Sequence, residues 1–222
     1  MKKADVRARI EEIGIVPGIR VSSPEQAYFA AEMLARAGIP VAEITMTIPG
    51  AVDVIAQIAK SHPNLVVGAG TVLDAETAHR CLDAGAKFLT SPGFIPDVVA
   101  FALKHGVVVF PGALTPTEVI TAWKAGADFV KVFPCAPVGG VHYIKSLKVP
   151  LPQIPLIAAG GVNQSTATGF ILAGATALGL GTELIPHEAL ELRQEERISE
   201  LARRFLAMVK EGRARNALVV VS

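Results

Sequence analysis

Lys131 stands in the middle of the apolar run "FVKVFP", residues 129–134, and Glu43 stands within "VAEITMT", residues 41–47. An amine and a carboxylate set inside short β-branched segments are the residue types that imine chemistry uses. Burial disfavours the charged form of an amine. A neutral amine adds to a carbonyl, and a nearby carboxylate can then move protons between oxygen and carbon. If Val130 and Val132 face a helix layer, Lys131 points the other way, with Phe129 and Phe133. The plainer reading is a lysine that snorkels to a rim or pairs with a carboxylate as a structural ion pair. Spacing alone does not separate the two.

The elements that must hold these residues follow a regular rhythm. Short apolar or β-branched runs at 14–21, 41–47, 65–72, 88–94, 107–114, 129–134, 155–162 and 177–184 alternate with amphipathic helical patterns. Ser23, Asp74, Thr115 and Asn163 offer N-caps, and Gly38, Gly85, Gly126 and Gly174 are placed to end helices in the left-handed conformation. The repetition predicts a (β/α)8 TIM barrel rather than an open doubly wound sheet. In "VAEITMT" the polar residues Glu43, Thr45 and Thr47 share one face, whereas a central strand of an open parallel sheet is covered by apolar residues on both faces. "GAGTVL" also lacks the third glycine of a dinucleotide fingerprint.

In such a barrel the loops after the strands build the site. Thr71, Pro92, Phe133, the pair Gly160 and Gly161, and Thr182 fall at the ends of strands three, four, six, seven and eight. Glycines after strands seven and eight suit a phosphate held by backbone N–H groups, although a Gly-Gly pair taken singly is usually only a turn. Arg20 ends strand one. It offers either a positive charge at the barrel mouth or a surface salt bridge.

Composition limits the alternatives. Lys and Arg total 21 against 20 Asp and Glu, so no charge imbalance calls for nucleic acid or an anionic membrane. No stretch approaches the roughly 18 uninterrupted apolar residues of a membrane span, and the start lacks the apolar core of a signal peptide. Two cysteines, Cys81 and Cys135, point to a reducing, cytoplasmic setting and have no metal-ligand spacing. The five histidines are scattered, so neither a metal site nor a cofactor is expected. The whole chain, 1–222, reads as one barrel domain with an N-terminal helix over 1–13 and a C-terminal helix and tail over 193–222.

Taken together and in order, "VAEITMTIPGA", "VVGAGTV", "FLTSPG", "FPGALTPTE", "FVKVFPC" and "AAGGVN" resemble the family of aldolases that cleave 2-keto-3-deoxy-6-phosphogluconate (KDPG) and 4-hydroxy-2-oxoglutarate (KHG). The resemblance covers roughly residues 10–210. It implies a metal-independent aldolase with Lys131 as the imine-forming lysine, Glu43 as general acid and base, and a 2-keto acid as substrate. Thr71 would contact the pyruvyl carboxylate, Pro92 and Phe133 would line the site, and Gly160, Gly161 and Thr182 would hold a distal phosphate. A homotrimer is also implied. The chain departs from the family pattern at Thr47, where many members carry an arginine, and at Ala159, where a threonine often stands. An unphosphorylated 2-keto acid and a non-catalytic phosphate-binding barrel or scaffold are the rival expectations.

Overall fold

The protein is seen in a computed structural model that describes residues 1–221, with side chains as far as Ala217. The apolar end "ALVVV" of the C-terminal tail falls almost wholly outside the described side chains. Parallel strands β1 (Ile15–Ile19), β2 (Val41–Thr45), β3 (Val66–Gly70), β4 (Phe88–Thr90), β5 (Val108–Phe110), β6 (Gly112–Ala113), β7 (Val130–Val132), β8 (Leu156–Ala159) and β9 (Ala175–Leu180) form one sheet. Its order is β5-β4-β3-β2-β1-β9-β8-β7-β6. The two ends of that order are one run of chain interrupted at Pro111. Proline has no N–H to give the ladder, but its carbonyl accepts a hydrogen bond from the Lys131 N–H at 3.0 Å. The fifth strand of the sequence reading is therefore two segments. β5 pairs with β4 and β6 with β7, and the barrel closes with eight staves.

Helices α1 (Lys3–Ile13), α2 (Pro24–Arg36), α3 (Ala51–Ser61), α4 (Ala75–Asp83), α5 (Pro96–Lys104), α6 (Pro116–Lys124), α7 (Gly140–Lys148), α8 (Ala167–Leu172), α9 (His187–Glu191) and α10 (Glu195–Val221) accompany the strands. Ser23, Asp74 and Thr115 accept N-cap bonds from Gln26, Thr77 and Glu118 N–H groups. Gly38, Gly85, Gly126 and Gly174 all take positive φ, between 94° and 103°. Asn163 does not cap a helix. Its side chain accepts from the Ser165 N–H at 3.0 Å and closes a local turn, so α8 starts only at Ala167, after Thr166.

Side chains alternate between two cores. Val130 and Val132 of β7 pack outward with the helices, while Val16, Val41, Val66, Phe88, Val108, Phe110, Phe129, Ile157 and Ala177 fill the barrel interior. The three phenylalanines form its floor, with Phe88 stacked on Phe110 at 5.1 Å and Phe110 edge-on to Phe129 at 6.1 Å. Gly68 admits Phe88, because a Cβ there would lie 2.4 Å from the ring. α1 closes the N-terminal end of the barrel by inserting Val6 and Ile10 into the same cluster. Lys3 pairs with Asp128 at 2.9 Å, and Asp128 also accepts from the Val109 N–H. The polar end of the interior is consequently the other one, where the strands finish.

α10 secures this plug. Arg213 donates to the carbonyls of Glu11 and Glu12 in the last turn of α1, and more weakly to that of Thr176. These acceptors would otherwise lack an intrahelical partner. Arg213→Ala should lower the unfolding free energy by about 2 kcal/mol, the scale for bonds to a charged donor, measured as a shift in the urea midpoint without change in slope.

Candidate active site

Strand ends come one or two residues before each predicted site position. Arg20, Thr47, Thr71, Pro92, Phe133, Gly160, Gly161 and Thr182 all lie just past their strands, on the C-terminal face of the barrel. Lys131 itself is mid-strand, inward-facing above Phe129. Its Nζ lies 3.7 Å from Glu43 Oε1, and the two side chains are only 14% and 6% exposed. That separation gives a close ion pair without a direct hydrogen bond, leaving each group able to meet a third. The ammonium also sits 5.5 Å from the centre of the Phe133 ring. Glu43 reaches the pair because residue 70 is glycine: a Cβ there would lie 2.1 Å from Oε1.

A cavity of about 300 Å³ opens above the pair. Arg20, Glu43, Lys131, Phe133, Gly160, Gly161 and Thr182 line it, as do Gly18, Thr45, Ala159 and Glu183. Among the described residues, the N–H groups of Gly160, Gly161, Val162, Gly181, Thr182 and Glu183 donate to no backbone carbonyl. They form an arc of free donors at one end of the cavity, the arrangement that binds an oxyanion.

The opposite end is built around Arg20. Its guanidinium donates to Thr47 Oγ1 at 3.3 Å and to Thr71 Oγ1 at 3.4 Å. Thr45 donates its single proton to the Ile19 carbonyl, so the 2.9 Å contact between the two hydroxyls is donated by Thr47. Thr71 takes φ 60°, unusual for a β-branched residue. Its neighbours are tied down on both sides. Gly70 accepts from the Met46 N–H, the Val72 N–H donates to Thr90, and Ser91 donates to the Val72 carbonyl at 2.6 Å. Local strain of this kind persists only where the surroundings over-determine it.

Three expectations need adjustment. Pro92 does not line the cavity. Its carbonyl packs against Gly112, where a Cβ would come within 2.1 Å. Thr47 and Thr71 also stand outside the lining and reach the site through Arg20. Thr45, Gly18 and Glu183 were not singled out from sequence. Thr45 was visible as part of the polar face of its strand, Glu183 adjoins Thr182, and Gly18 gave no signal beyond being a glycine in a strand.

Against known proteins, the family model for KDPG and KHG aldolases matches residues 6–201. The chain belongs to the KDPG and KHG aldolase family. The KHG/KDPG aldolase of Escherichia coli strain K12 is 32% identical over 85% of this chain and 89% of its own length. Among solved structures, the KDPG aldolase of Legionella pneumophila, with pyruvate captured as a covalent carbinolamine, is 28% identical at a TM-score of 0.83, covering 89% of this chain and 96% of that one. The KDPG aldolase of Zymomonas mobilis ZM4 with 3-phosphoglycerate is 27% identical at the same TM-score, covering 93% and 97%.

The thiols of this aldolase are set apart from the site's chemistry. Burial pushes both Cys81 and Cys135 up from 9.0 to about 11, and Cys135 donates to the Gly160 carbonyl at 3.4 Å. A thiol held neutral in the folded state ionises more readily once unfolded. The stability it contributes is full below pH 9 and is lost as pH rises through about 11. Urea midpoints followed from pH 8 to 11 should therefore fall more steeply for the native chain than for the Cys81→Ala/Cys135→Ala variant.

Proposed function

We propose that the protein is an imine-forming aldolase that cleaves KDPG reversibly to pyruvate and glyceraldehyde 3-phosphate. The observation that carries this reading is the Lys131–Glu43 pair at 3.7 Å, lying in one cavity between a cationic end and an arc of free N–H donors. Lys131, after giving its proton to Glu43, adds through Nζ to the C2 carbonyl, and Glu43 passes that proton to the carbinolamine hydroxyl, which leaves as water to give an iminium and a free Glu43 carboxylate. Glu43, directly or through water, takes the proton of the C4 hydroxyl. The C3–C4 bond then breaks and its electron pair moves into the iminium, leaving the aldehyde and an enamine. Glu43 returns the proton to C3, and hydrolysis frees pyruvate and Lys131.

The ends of the cavity fit the ends of that substrate. Arg20, held by Thr47 and Thr71, supplies the cation for the pyruvyl carboxylate. The glycines after β8 and β9, with Thr182, receive the distal phosphate. Glu183 on the rim of the same end favours, as a second reading, a shorter acid with a single terminal negative charge, such as KHG. A homotrimer in a cytoplasmic setting is proposed alongside, supported by the family resemblance, by exposed Leu73 and Val138 near the mouth, and by two free buried cysteines. Light scattering on the purified protein tests the trimer.

Borohydride reduction in the presence of pyruvate should fix one adduct on Lys131. An intact, folded protein that gains no adduct would sink the mechanism, and Lys131→Ala should gain none. Glu43→Gln should still form the adduct but lose about 10²–10⁴-fold in kcat. Arg20→Ala should cost about 10–100-fold in kcat/KM for a 2-keto acid, as expected for losing a charged bidentate partner. Thr182→Ala should weaken the phosphorylated substrate more than KHG. Equal effects on both would reassign that end of the cavity.

A further inference from the structure

Gly18 lies in β1, in register with Glu43 of β2. Glycine weakens a strand interior, so each strand glycine needs a reason. At Gly68, Gly70, Gly112 and Gly179 the reason is steric: an added Cβ would fall 2.4 Å from the Phe88 ring, 2.1 Å from Glu43 Oε1, 2.1 Å from the Pro92 carbonyl and 2.7 Å from Ala159 Cβ. Gly18 has no such neighbour. A Cβ there would find nothing closer than the Leu180 carbonyl at 3.7 Å and Glu43 Oε1 at 3.9 Å, which is ordinary contact. Its φ is also outside the left-handed region. Neither backbone conformation nor packing excludes a side chain at this position. What the absent side chain leaves is cavity space, since Gly18 borders the site directly.

That space has a definite place relative to the reaction, on the imine mechanism proposed above, and the inference rests on that mechanism. C2 of the bound donor is bonded to Lys131 Nζ, and C3 is one bond further on. C3 must face Glu43, which exchanges its proton. Glu43 is flanked by β1 and β3. On the β3 side the room at Gly70 is already filled by the Glu43 side chain itself. On the β1 side the room at Gly18 is open. A carbon branch on C3 therefore has one direction in which to go.

We infer that Gly18 makes this aldolase accept a donor carrying a methyl group on C3, so that 2-oxobutanoate serves beside pyruvate and Gly18 is a residue that sets donor specificity. The chemistry is unchanged. Lys131 adds to the C2 carbonyl, water leaves, and Glu43 removes one of the two C3 protons to give the enamine. C3 then bonds to the aldehyde carbon, the new alkoxide takes its proton from Glu43, and hydrolysis returns the free lysine.

Exchange of C3 hydrogens into D2O, followed by proton NMR without any acceptor, isolates the donor half of the reaction. The native enzyme should exchange both acids. Gly18→Val should lower the ratio of 2-oxobutanoate to pyruvate exchange by about tenfold or more, the discrimination a filled methyl-sized space provides, with Gly18→Ala between. Gly18→Ala introduces only ordinary contacts and carries the test should the valine variant fold poorly. If pyruvate exchanges while 2-oxobutanoate does not, or if the ratio is the same in native enzyme and variants, the inference is overturned and the imine mechanism stands. If neither acid exchanges and borohydride fixes no pyruvate, the mechanism fails and the inference with it.

Discussion

An ammonium and a carboxylate face each other inside a barrel, directly above a floor of hydrocarbon. Taking either charge from water alone costs several kcal/mol, and the cost is tolerable only because each is the other's partner at short range. Lys131 and Glu43 come from opposite parts of the barrel wall, so their meeting depends on the whole ring of strands being closed in one register. The pair in turn dictates what surrounds it. Gly70 must lack a side chain for Glu43 to lie across β3, and the phenylalanine floor fills the interior directly beneath. The distance of 3.7 Å leaves both groups short of hydrogen-bonded saturation. A carbonyl or hydroxyl entering from above gives them what they lack.

The two ends of the barrel divide the labour. The N-terminal end is sealed by α1, whose apolar face continues the interior core and whose last carbonyls are gathered by Arg213 from the far end of the chain. Asp128 there is paired with Lys3 and bonded to the backbone, which makes it part of the seal. At the C-terminal end the same strands release into loops held by short side-chain bonds, with Ser91, Thr90 and Thr45 each donating to a carbonyl of a neighbouring segment. Rigidity supplied by these bonds is what fixes Thr71 in its strained conformation and Arg20 between two hydroxyls. Preorganised dipoles and charges act on a reacting centre without reorganising during the reaction.

Much of this was legible in the chain because it follows from local patterns. Alternation places Val130 and Val132 on one face and Lys131 on the other, and the glycines before the strands mark the helix ends one by one. The inward lysine and glutamate were readable as a pair once the barrel was inferred. What was not legible depends on which of several possible partners a group meets once the chain is packed. Pro111 divides a stave, yet nothing local says that its carbonyl will meet the Lys131 N–H. Asn163 has the chemistry of an N-cap and spends it on a turn. Pro92 sits at a strand end but turns its carbonyl to Gly112 rather than to the cavity. The difference between Gly18 and Gly70, one open and one filled, exists only in the packed structure.

By the resemblance, Thr47 stands where many family members carry an arginine, and on the proposed function Arg20 supplies that charge. A carboxylate bound near an iminium requires a cation with directional donors, and a guanidinium satisfies that from any nearby strand end of suitable reach. β1 and β2 are hydrogen-bonded neighbours, in register through Gly18 and Glu43, so residues just past their ends converge on one region of the mouth. A guanidinium carried past the end of β1 needs something to orient it toward that region. The hydroxyls of Thr47 and Thr71 do this, and the proton order along Thr47, Thr45 and the Ile19 carbonyl gives each of these two hydroxyl donors a defined acceptor while leaving other Arg20 N–H groups for a ligand. On the proposed function, the threonine at position 47 serves by orienting the arginine at position 20.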